Sequence, residues 1–134
     1  MVGKTHVVVG VATYTVISGF NPIGIIISAV ASKLPDIDYR FWHRGCIHSP
    51  LFLAILYFLV RQFCPEIVMP LLIGFLSHLI LDSLTPMGIP WLWPFYPKRI
   101  GISLIPTGSI GDRLLRWAST AFLLFLIGNS IFKI

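Results

Sequence analysis

The sequence predicts an all-α membrane protein: a short N-terminal helical hairpin followed by about three transmembrane helices, with a polar metal site near one membrane face. Three observations predict it. Apolar residues make up 56% of the 134 positions and charged residues only 11%, whereas a soluble domain carries about 25% charged residues. Four stretches without Asp, Glu, Lys or Arg run from Thr5 to Ser32, Gly45 to Val60, Ile67 to Leu81 and Trp117 to Phe132. Threading those stretches through a bilayer gathers the titratable residues at one face. Mean hydropathy is +0.87, and the length fits a single membrane-embedded domain over residues 1–134. This composition excludes a disordered chain and an ordinary water-soluble enzyme. The excess of 10 Lys+Arg over 5 Asp+Glu forms no basic stripe on a polar helix, so nucleic acid is not an expected partner.

Thr5–Ser32 is long enough for one tilted span, but Gly19-Phe20-Asn21-Pro22 in its middle is turn chemistry. The expected structure is a hairpin of helices over about 5–19 and 23–33 that does not fully cross. A secretory signal is the weaker alternative, because the apolar run is too long and interrupted for an h-region. Ser49-Pro50 places a capping residue before a first-turn proline, opening a third helix over roughly 50–64. Cys64-Pro65-Glu66 permits only a tight reversal into a fourth helix, roughly 67–85, which Thr85-Pro86 stops. A fifth covers roughly 112–132. These last three are read as spans. Segment 86–110 is the long connection, and Trp91, Trp93, Phe95 and Tyr96 ahead of Lys98-Arg99 suit the headgroup layer. Cys46 and Cys64 flank the third helix, which would hold them roughly 25 Å apart at about 1.5 Å per residue, so no disulfide is expected.

The hairpin reading puts 12 of the 15 charged residues on one face, leaving Arg61, Glu66 and Lys133 on the other. The cations split 8 to 2, which makes the crowded face cytoplasmic. His6, His43, His48 and His78 fall on that same side. The strongest local signal is His78 with Asp82, four residues apart on one face of an apolar helix, where ionisable side chains are expensive and point to function. The competing reading is a His–Asp hydrogen bond that only packs the bundle. Asp36 and Asp38 in Leu34-Pro35-Asp36-Ile37-Asp38, His48 before the third helix and His6 in the first can reach the same depth. Imidazoles and carboxylates without thiolates suit Zn²⁺, or Mn²⁺ and Mg²⁺, as one or two ions. Each aspartate alone is equally well explained by a salt bridge to Arg40 or Arg44. Asp112 reads either as part of a capping box, Ser109-Ile110-Gly111-Asp112, or as a catalytic or metal-site carboxylate. His43 is either a proton-transfer residue or an interfacial one, and Cys46 is a small packing residue.

Thr5-His6 with Gly10, Leu34-Pro35-Asp36-Ile37-Asp38, His43-Arg44-Gly45 with His48-Ser49, and Ser77-His78 with Leu81-Asp82 and Thr85 resemble the YdjM type of protein. That family is described as LexA-regulated, membrane-bound, predicted metal-dependent hydrolases. The resemblance covers residues 5–112 and implies a small inner-membrane protein, distantly similar to zinc phospholipase C-type hydrolases. It implies His6, Asp36, Asp38, His48, His78 and Asp82 as metal ligands. The pattern often has Glu where this chain has Asp112.

The expected function is a metal-dependent hydrolase at the cytoplasmic membrane surface acting on a phosphoester, lipid included. Asp112 and His43 are the expected catalytic residues. Arg44, Lys98 and Arg99 are the expected phosphate contacts, though positive-inside topology and anionic headgroups explain those cations equally well. The alternative is a metal-binding or metal-transporting membrane protein without hydrolysis, disfavoured because the far half of every helix is apolar.

Overall fold

The computed structural model describes residues 1–38 and 45–132, apart from the Asp38 side chain. These residues form α1 (Gly3–Ser18), α2 (Pro22–Ala31), α3 (Pro50–Phe63), α4 (Val68–Ser83) and α5 (Ile110–Ile131), with 3₁₀ turns at Leu34–Asp38, Cys46–His48 and Pro65–Ile67. Among the described residues extended backbone pairs only at isolated bridges, Ile89 with Ile100 and Leu92 with Tyr96.

The N-terminal hairpin forms as its turn chemistry requires. Gly19 adopts a φ of +77°, a left-handed value that costs glycine nothing, and its N–H closes α1 on the Thr15 carbonyl. The Asn21 side chain then accepts from the N–H groups of Ile23 at 3.0 Å and Gly24 at 3.1 Å. Pro22 takes the first helical position, where a missing N–H is harmless. Ser49 caps α3 by accepting from Phe52 N–H at 3.2 Å. Pro65 ends α3 by excluding Cys64 from helical geometry. α3 therefore has 14 residues and rises about 21 Å, short of a hydrocarbon core of roughly 30 Å. It is a short apolar helix rather than the full span expected from its sequence. Among the described residues, two helical segments are long and apolar enough to cross a membrane, Pro65–Ser83 and Ile110–Ile131.

α4 is central, packed against α1, α2 and α3, while α5 lies along α1. Its Leu71, Phe75 and Leu79 form the core with Ala31, Leu53 and Ile89. Residues 84–109 fold back over the C-terminal end of α4: Ile102 N–H donates to the Ser83 carbonyl at 2.8 Å, and Leu104 and Ile105 N–H donate to that of Leu84 at 2.8 and 3.0 Å. Trp91 is tied in by its indole N–H donating to Ser83 Oγ at 2.9 Å. Phe95, by contrast, is 94% exposed, as an interfacial anchor would be. Phe58, Phe63, Trp117, Leu124 and Phe125 also point outward, an apolar surface that lipid would cover.

Two glycines let α1 and α4 close on α2. A Cβ on Gly10 would stand 1.9 Å from Ser32 Oγ, and one on Gly74 would stand 2.3 Å from the Ser28 carbonyl oxygen. Ser28 Oγ uses the closeness to donate to the Gly10 carbonyl at 3.1 Å. Gly74→Ala meets backbone rather than a movable side chain, so it should destabilise by about 1–3 kcal/mol, the usual cost of overpacking. Gly128→Ala, with nothing within 4 Å of the new Cβ, should be neutral or stabilising by up to about 1 kcal/mol. Unfolding midpoints in detergent check the pair; equal midpoints would mean the helices are not so closely packed.

Candidate metal centre

The close helix contacts bring side chains from four elements to one point. His6 comes from the second turn of α1, His78 and Asp82 from the last turns of α4, Asp36 from the 3₁₀ turn after α2, and His48 from the turn that leads into α3. Pro35 and the Ser49 cap fix those two turns. The His6 and His78 rings stack with centroids 3.9 Å apart. His6 Nε2 lies 3.2 Å from Asp82 Oδ1. His78 Nε2 lies 3.6 Å from Asp82 Oδ2, 3.7 Å from Asp36 Oδ1 and 3.3 Å from His48 Nε2. Two overlapping triads result, His6–His78–Asp82 and Asp36–His48–His78, each with its ligand atoms within 4.8 Å of one another. The three imidazoles and Asp82 are at most 1% exposed, whereas the Asp36 side chain is 30% exposed. The centre therefore opens past the 34–38 turn.

Protonation follows from the partners. His78 Nδ1 is 2.7 Å from the Ser32 carbonyl oxygen. A carbonyl only accepts, so Nδ1 carries a proton there, and in the neutral ring this leaves the Nε2 lone pair facing His48 and the two carboxylates. A hydrogen bond on the outer nitrogen is also what orients a metal-ligating imidazole. His6 Nδ1 is buried with no hydrogen-bond partner among the described residues, so that ring is held by its stack on His78 and by Nε2 against Asp82. Met1 N donates to Asp82 Oδ1 at 2.7 Å. Burial pushes the Asp36 carboxyl up, but the contact with His48 and the nearby His78 and His6 outweigh it, leaving the group below the ordinary carboxylate range. Imidazole nitrogens and carboxylate oxygens thus converge closely enough that they could hold a divalent cation.

A family profile described as YdjM inner membrane protein matches residues 1–133. The chain belongs to the YdjM family of inner membrane proteins. Among relatives, the uncharacterized protein YvsG of Bacillus subtilis (strain 168) is 34% identical over 86% of this chain and 87% of its own length. Inner membrane protein YdjM of Escherichia coli (strain K12) is 43% identical, over 52% of this chain and 49% of that protein. The chain thus spans about half the length of that relative, and the match to YdjM of Shigella flexneri covers the same share. No solved structure matches.

Of the family's expected ligands, His6, Asp36, His48, His78 and Asp82 meet. Asp38 ends the same 3₁₀ turn as Asp36, but its side chain lies outside the described residues, as do His43 and Arg44. Lys98 lies in the exposed later part of the 84–109 connection with Nζ 5.9 Å from the Tyr96 ring centroid, and Arg99 follows it; neither is one of the converging groups. Asp112 is buried beside the centre but is occupied otherwise. It accepts from Thr5 Oγ1 at 2.6 Å, Gly108 N–H at 2.8 Å and Val2 N–H at 3.1 Å, while Ser109 Oγ accepts from Asp112 N–H at 3.3 Å. Ser109 is thus the cap, and the Asp112 carboxylate ties α5 to the start of α1, one residue from His6. Sequence reasoning missed this brace and the Ser32 carbonyl. A backbone acceptor has no residue signature, and Thr5 becomes Asp112's partner only through contacts 107 residues apart.

His78→Ala and Asp82→Ala should each lower metal affinity by more than about 100-fold, the upper end for losing an outer hydrogen-bond partner. Asp112→Asn keeps the shape and two acceptor contacts, so affinity should stay within about tenfold. Asp112→Ala strands three donors and should cost at least about 1–3 kcal/mol of stability. Competition titration with a chromophoric chelator, alongside thermal unfolding, reads both. A loss in Asp112→Asn as large as in His78→Ala would make Asp112 a ligand.

Proposed function

We propose that this protein is a metal-dependent hydrolase of the inner membrane, acting on a phosphoester at the cytoplasmic surface, membrane lipid included. The observation that carries the reading is the convergence of three buried imidazoles and two carboxylates, one of them reachable from outside. A bound divalent ion, Zn²⁺ or else Mn²⁺ or Mg²⁺, would supply Lewis acidity and a water acidified toward neutral pH. His6, His48, His78, Asp36 and Asp82 would hold it. One Nε2 lone pair serves one ion, so the two triads cannot both fill through His78. Asp82 has one oxygen near His6 and the other near His78 and would be among the groups that hold the metal.

The chain's own groups supply the rest. Ser32 fixes the His78 tautomer, and the apolar body of α4 keeps water from the far side. Asp36 sits at the opening and is held ionised, which suits it to hold a cation on the side reachable from outside. Lys98 and Arg99, beside exposed Phe95 and Tyr96, are placed in the proposal at the headgroup layer, where they would attract phosphate. The cation bias supports a multi-pass arrangement with this face, and with it both ends of the α1–α2 hairpin, on the cytoplasmic side.

Metal binding without hydrolysis is the second reading. Transport would need polar groups reaching the opposite face, yet the starting half of α4 buries Val68, Pro70, Leu71 and Phe75. Hydrolysis of a chromogenic phosphodiester and of short-chain phospholipid by the purified protein distinguishes the two. Activity is expected to vanish on chelation and to return with Zn²⁺, Mn²⁺ or Mg²⁺. Full activity after chelation would overturn the metal dependence. Stoichiometric metal with no turnover of either substrate would favour the second reading.

A further inference from the structure

A groove of about 350 Å³ runs along the seam between α1 and α5, lined by Gly3, Lys4, Val7, Val8, Lys33, Arg116, Trp117 and Thr120. Its volume lies within the roughly 300–1,000 Å³ of ligand pockets. It is separate from the metal centre: Lys4 and His6, two apart on α1, point away from each other. We propose that this groove holds an anionic phospholipid, its phosphate among Lys4, Lys33 and Arg116 and its acyl chains along Val7, Val8 and Trp117. The proposal stands whether or not the metal centre hydrolyses anything.

Charge and shape argue for that occupant together. Lys4 begins α1, Lys33 follows α2 and Arg116 lies in the second turn of α5, so three chain-distant cations meet at one level, the level of the helix ends around the metal centre. The Lys33 side chain reaches the start of α1, where a Cβ built on Gly3 would be in ordinary van der Waals contact with Lys33 Cε at 3.5 Å. Among the described residues no carboxylate pairs with any of the three. Asp112, one turn before Arg116 on the same face, is filled by Thr5, Val2 and Gly108. Thr120 Oγ1 donates to the Arg116 carbonyl at 2.8 Å, so its hydroxyl adds little polarity to the wall. The remaining wall is Val7, Val8 and the Trp117 ring, which is 67% exposed. A free phosphate would gain nothing from those surfaces. A lipid uses both, with guanidinium and ammonium groups on the phosphodiester and aliphatic carbon on the apolar wall.

Native mass spectrometry of the full chain in detergent, with phosphatidylglycerol or phosphatidylcholine added, tests the site. Wild type should retain one phosphatidylglycerol at least tenfold more strongly than phosphatidylcholine. Lys4→Gln/Lys33→Gln/Arg116→Gln should lose that preference. Val8→Trp, which fills the groove and keeps every cation, should lose the bound lipid. Arg116→Gln alone should weaken retention several-fold, while Arg113→Gln, one turn away and outside the groove, should not. Millimolar inorganic phosphate should leave the lipid in place. Equal retention of the two lipids, an unaffected triple variant or Val8→Trp, equal losses in Arg113→Gln and Arg116→Gln, or displacement by inorganic phosphate would each overturn the proposal.

Discussion

Asp82 carries a carboxylate into the last turn of an apolar helix, and most of the architecture can be understood as what that burial demands. Moving an ionised carboxylate out of water costs several kcal/mol even after relaxation, so the charge has to be met by partners brought from elsewhere. His78 is supplied by the same helix one turn earlier. His6 needs α1 to lie against α4, and α1 lies there because Gly10 and Gly74 let three helices approach at backbone distance. His48 needs the chain to return after α2 and be capped at Ser49 before α3 begins. Removing any of these elements would leave the buried charge with fewer partners.

The same constraint orders the surroundings. His78 is held with Nε2 inward, because its Nδ1–H is taken by the Ser32 carbonyl. Asp112 bears a second buried carboxylate, and it is neutralised by different means, three hydrogen-bond donors from Thr5, Val2 and Gly108 rather than imidazoles. Two carboxylates at one end of the bundle thus have separate duties, one facing the centre and one locking α5 onto the helix that carries His6.

Much of this was legible in the sequence for physical reasons that act locally. Gly19 with Asn21-Pro22, Ser49-Pro50 and Cys64-Pro65 are turn and cap signals that work through their own backbone, and the helices begin and end within a few residues of where those signals put them. His78 and Asp82 were readable because helical spacing alone puts them on one face, and an apolar helix gives ionisable groups few innocent uses. His6, His48 and Asp36 required topology as well, which the clustering of charges on one face provided. The rest depended on contacts between distant segments. The Asp112 carboxylate could have faced the centre or the start of α1, and only packing decides. The span expected for α3 was an overestimate, because apolar composition persists to its end while Pro65 limits its length. The groove between α1 and α5 leaves no motif at all, since its three cations come from three separate elements.

X-ray absorption at the zinc edge of the zinc-loaded protein in detergent tests the central claim most directly, because it reads the atoms around the ion without reference to activity. The account predicts a first shell of nitrogen and oxygen only, at about 2.0–2.1 Å, with the outer scattering of two or three imidazole rings and no sulfur from the free cysteines Cys46 and Cys64. A sulfur shell near about 2.3 Å, or a shell lacking imidazole scattering, would contradict it.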